Sequence, residues 1–355
     1  MAQSPVSERF MQRCFDLARL GAGKVSPNPM VGAVLEYQGR IIGEGFHQSY
    51  GQAHAEVNAL ASVLPADVSF IPHSTLYVSL EPCDIYGNTP PCTQLIIQKK
   101  IPRVVLSCFD HSPGVDGAGA ERLRNAGVEV IVGVLGEEGR RLSLPRNTFV
   151  RRQRPYVILK YAQSKNGVFA PPDNRQLWLT NEYSRRLTHK WRSETDALLI
   201  GANTALADDP KLTNRHYFGG SPLRVVLDRE GTLPRALSVF DGQSPTLIFT
   251  EMNPPPPAKN LDYCPVPFDG QLAGNVLKEL ARRKISTLMV EGGIRTLQHF
   301  IKAGLWDEAR VFIAGSYVAE GRMAPLLPEP PLEARRLGSD ELLLFRNSLQ
   351  SLNLH

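Results

Sequence analysis

Long apolar runs are missing from this chain of 355 residues. Its first residues, Met1 to Arg9, hold no apolar core of the kind a secretion signal needs, and no later stretch is long enough to cross a bilayer. Cysteine is scarce. Five cysteines are an odd number for a disulfide framework, and they point to a reducing, cytoplasmic setting. Aromatic residues are few, at 8%, and only Phe149 falls among the arginines 140, 141, 146, 151, 152 and 154. Without a run of aromatic platforms for base stacking, that basic stretch reads as a solvated helix or linker, and no nucleic-acid partner is expected. A net charge of +5 is mild, and suits a small anionic substrate. With 42% hydrophobic residues over this length, two globular domains are expected.

What is present concentrates between His54 and Cys92. His54-Ala55-Glu56 is followed by the β-branched and aliphatic run Thr75 to Leu80, then Glu81-Pro82-Cys83 and, after a loop, Pro90-Pro91-Cys92. One imidazole and two thiols are the ligands zinc takes when a fourth position is left for water. Bound zinc lowers the pKa of that water to roughly 7, so it can attack an amidine-like ring carbon near neutral pH. The departing amine then needs a proton, and Glu56, two residues past His54, is placed to take one from water and return it. This order of residues is the zinc-deaminase signature, with the glutamate as acid/base and not as ligand. Cys92 is expected in the first turn of a helix through Gln98, where amides favour the thiolate.

Apolar spacing predicts a helix from Ser7 to Leu20, and Ser26-Pro27-Asn28-Pro29 reads as a rigid turn feeding a strand. Gln38-Gly39 reads as a hairpin tip, and His54 opens a helix running to Leu64. Strands at Arg103–Leu106 and Val128–Ile131 alternate with a helix from Ala118 to Asn125, which implies a mostly parallel sheet with helices on both faces. The domain boundary falls in the basic stretch, giving domains 1–150 and 151–355.

The second half alternates again. Strands are expected at 156–160, 197–200, 224–227, 246–249 and 287–290, with helices at 182–193 and 272–283 and a surface loop at Pro254 to Pro257. A strand ending in Glu291-Gly292-Gly293 and running into a helix lets backbone amides approach a phosphate, although a plain strand-to-helix turn fits as well. Arg192 and Arg215 could clamp a phosphate bidentately.

Taken together, these motifs resemble the bifunctional deaminase/reductase family of riboflavin biosynthesis over nearly the whole chain. In the first half the resembling residues are Ser26-Pro27-Asn28-Pro29-x-Val31-Gly32, Gly45-x-His47-x-x-x-Gly51-x-x-His54-Ala55-Glu56, and Glu81-Pro82-Cys83 with Gly87-x-Thr89-Pro90-Pro91-Cys92. In the second they are Lys160-x-Ala162-x-Ser164, Trp178-x-Thr180, Asn203-Thr204, Asp208-Asp209-Pro210-x-Leu212-Thr213-x-Arg215 and Val290-Glu291-Gly292-Gly293. The resemblance implies an α/β fold, with a cytidine-deaminase-like α/β/α domain followed by a dihydrofolate-reductase-like α/β domain. It implies zinc on His54, Cys83 and Cys92, with Glu56 catalytic. The 2-amino group of 2,5-diamino-6-(ribosylamino)-4(3H)-pyrimidinone 5′-phosphate would be removed, and NADPH would then reduce the ribosyl to a ribityl chain. By position, Asn28, His47 and Asp110 would contact the pyrimidine substrate. Lys160, Arg192, Leu212, Arg215 and Glu291 would meet the phosphorylated sugar. Ala162, Trp178, Thr204, Asp208, Gly292 and Gly293 would line the NADPH site. Self-association is implied by the same analogy.

The chain also departs from the family pattern. The loop between the cysteines carries Ile85 and Asn88 where a histidine and a basic residue are usual, and Asp110-His111-Ser112-Pro113 replaces Asp-Pro-Asn-Pro. A lost cation near a phosphate is worth ~1.5–3 kcal/mol, about tenfold or more in affinity. An alternative expectation is therefore a reductase whose deaminase domain is weakened or altered in specificity. His111 is an imidazole that could stand in for the one lost.

Overall fold

The structure, a computed structural model, describes residues 6–86, 90–112, 115–172, 177–253 and 255–348. Gly87, Asn88, Thr89, Pro113 and Pro254, singled out above, lie outside them. The chain divides into two compact units, residues 1–152 and 153–355.

In the first unit, helix α1 (Glu8–Arg19) buries Phe10, Met11, Cys14, Phe15, Leu17 and Ala18 along one stripe. Strands β1 (Gly32–Tyr37) and β2 (Arg40–Phe46) form the expected hairpin. Gln38 and Gly39 at its tip both take positive φ, as a tight two-residue turn requires. There follow α2 (Ala55–Ala61), β3 (Thr75–Val78), α3 (Cys92–Gln98), β4 (Arg103–Leu106), α4 (Ala118–Asn125), β5 (Glu129–Val132) and α5 (Gly136–Arg152). Helix α2 stops three residues short of Leu64, and Pro65 opens a 3-10 turn.

The sheet runs β2-β1-β3-β4-β5. It is mixed and not mostly parallel, because the hairpin makes β1 antiparallel to both β2 and β3; only β3-β4-β5 are parallel. Strand alternation sends Leu76, Val78, Val104 and Leu106 toward Ala55 and Ala59 of α2, Ile96 of α3 and Leu123 of α4. Tyr77 and Val105 point the other way, onto α1. The basic stretch is more than a solvated linker: α5 buries Ser143, Asn147 and Thr148, and Arg146 Nη1 donates to the Pro27 carbonyl at 3.0 Å.

The second unit begins with β6 (Tyr156–Gln163), β7 (Val168–Ala170), α6 (Glu182–Glu194), β8 (Ala197–Gly201), α7 (Ala202–Asp208) and β9 (Leu223–Leu227). It continues with β10 (Thr246–Thr250), β11 (Leu261–Pro265), α8 (Leu272–Arg282), β12 (Thr287–Gly292) and α9 (Ile294–Lys302). It closes with β13 (Glu308–Ile313), β14 (Arg322–Met323), β15 (Glu333–Leu337) and β16 (Asp340–Arg346). The nine-stranded sheet has the order β11-β10-β9-β8-β12-β6-β13-β16-β15. Its pairings are parallel from β11 through β13 and antiparallel in the last two. Val157, Leu199, Val225, Phe249, Leu280, Val290, Phe300 and Trp306 share the core beneath it. Because β12 inserts between β6 and β8, the chain reverses its direction of travel there. Open α/β sheets bind ligands outside the carboxyl ends of the strands at such a switch point.

Candidate active sites

In the first unit, β3 and α2 deliver the chemistry. His54 is the residue just before α2, still extended at ψ 165, and Glu56 lies in that helix's first turn. Cys83 follows the end of β3 by a short loop, and Cys92 is the first residue of α3. His54 Nδ1 is 3.3 Å from Cys92 Sγ and 3.5 Å from Cys83 Sγ. The three candidate ligand atoms lie within 4.8 Å of one another. Among the described residues no other His, Cys, Asp or Glu group gathers this way. An imidazole and two sulfurs converging on one point fit a zinc ion with an open fourth position.

The Cys92 N–H donates to Cys83 Sγ at 3.5 Å, so the α3 terminus supports the Cys83 thiolate as well. The Cys92 thiol, donating to Cys83, leads in holding Cys83 well below the usual thiol range, with His54 adding to it. The same bond to Cys83, with burial, pushes the Cys92 thiol up. Glu56 is fully buried, and burial raises its carboxyl above the ordinary range, as an acid/base poised to exchange a proton requires.

His47 is buried with both ring nitrogens engaged. Nδ1 donates to the Ala53 carbonyl at 3.0 Å, and Nε2 meets Asn28 Nδ2 at 3.1 Å. Its ring stands edge-on to His54, centroids 5.6 Å apart. Asn28 is half-buried. Asp110 turns its carboxylate into its own loop, accepting from Ser112 N–H and Oγ at 2.9 and 2.6 Å. Its amide donates to buried Glu81, which also accepts from the amides of Gly117 and Ala120. Glu81 thereby ties the Cys83 loop to the Asp110 loop. Ile85 is exposed, while its neighbour Asp84 accepts from Thr93 Oγ1 and Arg122 Nη1 at 2.5 and 2.8 Å. His111 Nδ1 is engaged by Asp116 at 2.8 Å, which fixes the ring's orientation.

The second unit holds a cavity of about 780 Å³ at the carboxyl ends of β6, β8, β9 and β12. Lys160, Ala162, Trp178, Arg192 and Thr204 line it. So do Asp208, Leu212, Arg215, Glu291 and Gly293; Gly292 does not. Gly293 has φ +71, and a Cβ there would meet Thr204 Oγ1 at 3.1 Å, so the turn into α9 is restricted to glycine. Cations outnumber carboxylates in the walls, and His189, His216, Arg229, Arg295 and Arg322, which sequence reasoning missed, line it too. An electropositive cavity of this size fits a large anionic ligand such as a phosphorylated dinucleotide.

One expectation fails here. Arg192 does not stand beside Arg215 as a free half of a phosphate clamp. Its Nε and Nη2 donate to Glu291 at 2.8 and 2.6 Å, and Nη1 to the Thr213 carbonyl at 3.1 Å. Burial alone would raise the Glu291 carboxyl, but Arg192 takes it down to about 2. Lys160 sits across from Glu291 on the neighbouring strand and is partly buried, and desolvation lowers its ammonium below the usual lysine range.

Comparison with known proteins agrees with both halves. Residues 5–108 match the model of the cytidine and deoxycytidylate deaminase zinc-binding region, and residues 155–340 that of the RibD C-terminal domain. The riboflavin biosynthesis protein RibD of Aquifex aeolicus is 40% identical, covering 96% of this chain and 98% of its own. The chain belongs to the RibD family. Escherichia coli RibD is 32% identical over 86% of this chain and 87% of its own. Among solved structures, a Thermotoga maritima diaminohydroxyphosphoribosylaminopyrimidine deaminase/5-amino-6-(5-phosphoribosylamino)uracil reductase superposes with a TM-score of 0.88 at 36% identity, covering 96% of this chain and 98% of its own. An Acinetobacter baumannii RibD gives 0.83 at 29% identity, over 96% and 98%. Both domains of the RibD family are present, a cytidine-deaminase-like one followed by a reductase one. Among the described residues no helix is long and apolar enough to cross a membrane.

Proposed function

We propose that this chain carries out two successive steps of riboflavin biosynthesis. It deaminates 2,5-diamino-6-(ribosylamino)-4(3H)-pyrimidinone 5′-phosphate hydrolytically in the first domain. It then reduces the ribosyl to a ribityl chain in the second. The observation that carries this reading is the convergence of His54, Cys83 and Cys92 beside buried Glu56, on the same chain as a cation-lined cavity.

His54, Cys83 and Cys92 would hold one zinc ion, which when bound supplies a water acidic enough to attack near neutral pH. Glu56, shielded from solvent, takes a proton from the attacking water and returns it to the leaving amine. Asn28 offers an amide to the pyrimidine edge. The weakened-deaminase alternative is not favoured, because all four residues of the zinc and proton chemistry are retained and assembled.

In the second domain a reduced nicotinamide dinucleotide, NADPH, would supply the hydride. Ala162, Trp178, Thr204, Asp208 and Gly293 would line its site, and Arg215 would meet the substrate phosphate. Glu291, held ionised by Arg192, is not the proton donor. Of the two remaining candidates, Lys160 Nζ with its lowered pKa is assigned the proton that the opened sugar oxygen takes up, and Asp208, whose carboxyl burial raises, is the other acid of the cavity. The purified chain tests this directly by its zinc content and by NADPH consumption with the diamino substrate. One zinc per chain with turnover is expected; zinc-free protein with full deaminase activity would overturn the first half.

A further inference from the structure

Helix α6 presents two side chains to the loop that carries Arg215, and they grip its backbone from one face. His189 and Arg192 are three residues apart, so they project side by side. Arg192 Nη1 donates to the carbonyl of Thr213 at 3.1 Å, while the amide of Arg215 donates to His189 Nδ1 at 3.0 Å. The second bond fixes the tautomer: Nδ1 is the acceptor, so the neutral ring carries its proton on Nε2. His189 is 4% exposed, lines the cavity, and is braced edge-on by His216 with ring centroids 4.6 Å apart. The loop it holds contains Leu212 at φ +53, a conformation a bulky side chain rarely takes and one that persists only where the surroundings impose it.

We propose that His189 is a positioning residue of the reductase site, setting the direction of Arg215 by accepting its backbone N–H, and so setting affinity for the anionic end of the substrate. This rests on the reading of Arg215 as the group that meets the substrate phosphate. His189 itself takes no part in the chemistry. Its imidazole serves as a buried acceptor that no aliphatic residue supplies. Removing the acceptor frees the Arg215 amide to turn, and the guanidinium moves with it.

The test measures steady-state reductase kinetics of the full chain with NADPH, using the phosphorylated substrate and its dephosphorylated counterpart. Deaminase activity of each variant serves as the folding control. Arg215→Gln tests the underlying reading: KM for the phosphorylated substrate should rise about tenfold, with little change for the other. His189→Ala should show the same split, a severalfold rise in KM with kcat within about twofold. His189→Asn, whose amide oxygen stands near the place of Nδ1, should recover most of the loss. If Arg215→Gln leaves KM unchanged, the reading of Arg215 fails and the proposal goes with it. If Arg215→Gln behaves as expected but His189→Ala does not move KM, or if Asn is no better than Ala, the positioning role alone is wrong.

Discussion

Arg192 and Glu291 face each other through two parallel hydrogen bonds of 2.8 and 2.6 Å, both side chains almost wholly buried. The residues are ninety-nine positions apart, and β12 brings them together at the carboxyl end of the sheet. A bulge leaves Glu291 unpaired with β8 and aims it into the cavity.

That pair has an acid signature. Glu291 is depressed from its ordinary 4.5 to about 2, so its contribution is fully present above pH 4.5 and is lost as pH falls toward 2. The difference between those values corresponds to roughly 3 kcal/mol. Denaturant unfolding of wild type between pH 5 and 2.5 should therefore lose stability that Glu291→Gln, already destabilised at pH 7, does not lose further. Parallel pH curves for the two proteins would contradict the assignment.

Lys160 should reveal itself on the alkaline side. Burial, opposed by Glu291 and reinforced by Arg192, lowers its pKa below 10.5. Reductase kcat should then fall with rising pH before a free lysine would titrate. Lys160→Met should lower kcat by roughly 10²–10⁴-fold and remove that limb. A pH profile unchanged by this substitution would assign the proton elsewhere.

Metal removal should separate the halves. Cys92→Ser or a chelator should abolish deamination and lower thermal stability, since ligand binding to the native state is lost. Reductase activity on already deaminated substrate should persist.

At the turn into α9, Gly293→Val places a β-branched residue at φ +71 and its Cβ against Thr204. With ψ at 128 this lies outside even the left-handed helical well, and holding an L-residue there costs about 1–3 kcal/mol. We expect KM for NADPH to rise about tenfold or more, with deamination unaffected. An unchanged KM would remove the turn from the cofactor site.

Much of this was legible in the sequence, for identifiable reasons. The buried parallel strands β6, β8, β9, β10 and β12 announce themselves as apolar runs. β15, Glu-Ala-Arg-Arg-Leu, did not, because an exposed edge strand carries charge, and β11 contains Asp262 and ends in Pro265. The metal-ligand trio was readable because residue type alone restricts its chemistry. The occupation of Arg192 was not, since only the sheet order brings Glu291 to it. His189 was discoverable from its spacing to Arg192 on α6, but no local pattern shows that its partner is a backbone amide.

The central claim is that Glu56, beside the His54, Cys83 and Cys92 centre, performs the first step and the second domain performs the other. Product analysis of Glu56→Gln, supplied with NADPH and either the diamino substrate or the deaminated one, tests it most directly. The account predicts near-wild-type reduction of the deaminated compound, with deamination of the other reduced at least roughly 10²-fold. Deamination by Glu56→Gln at the wild-type rate would contradict it.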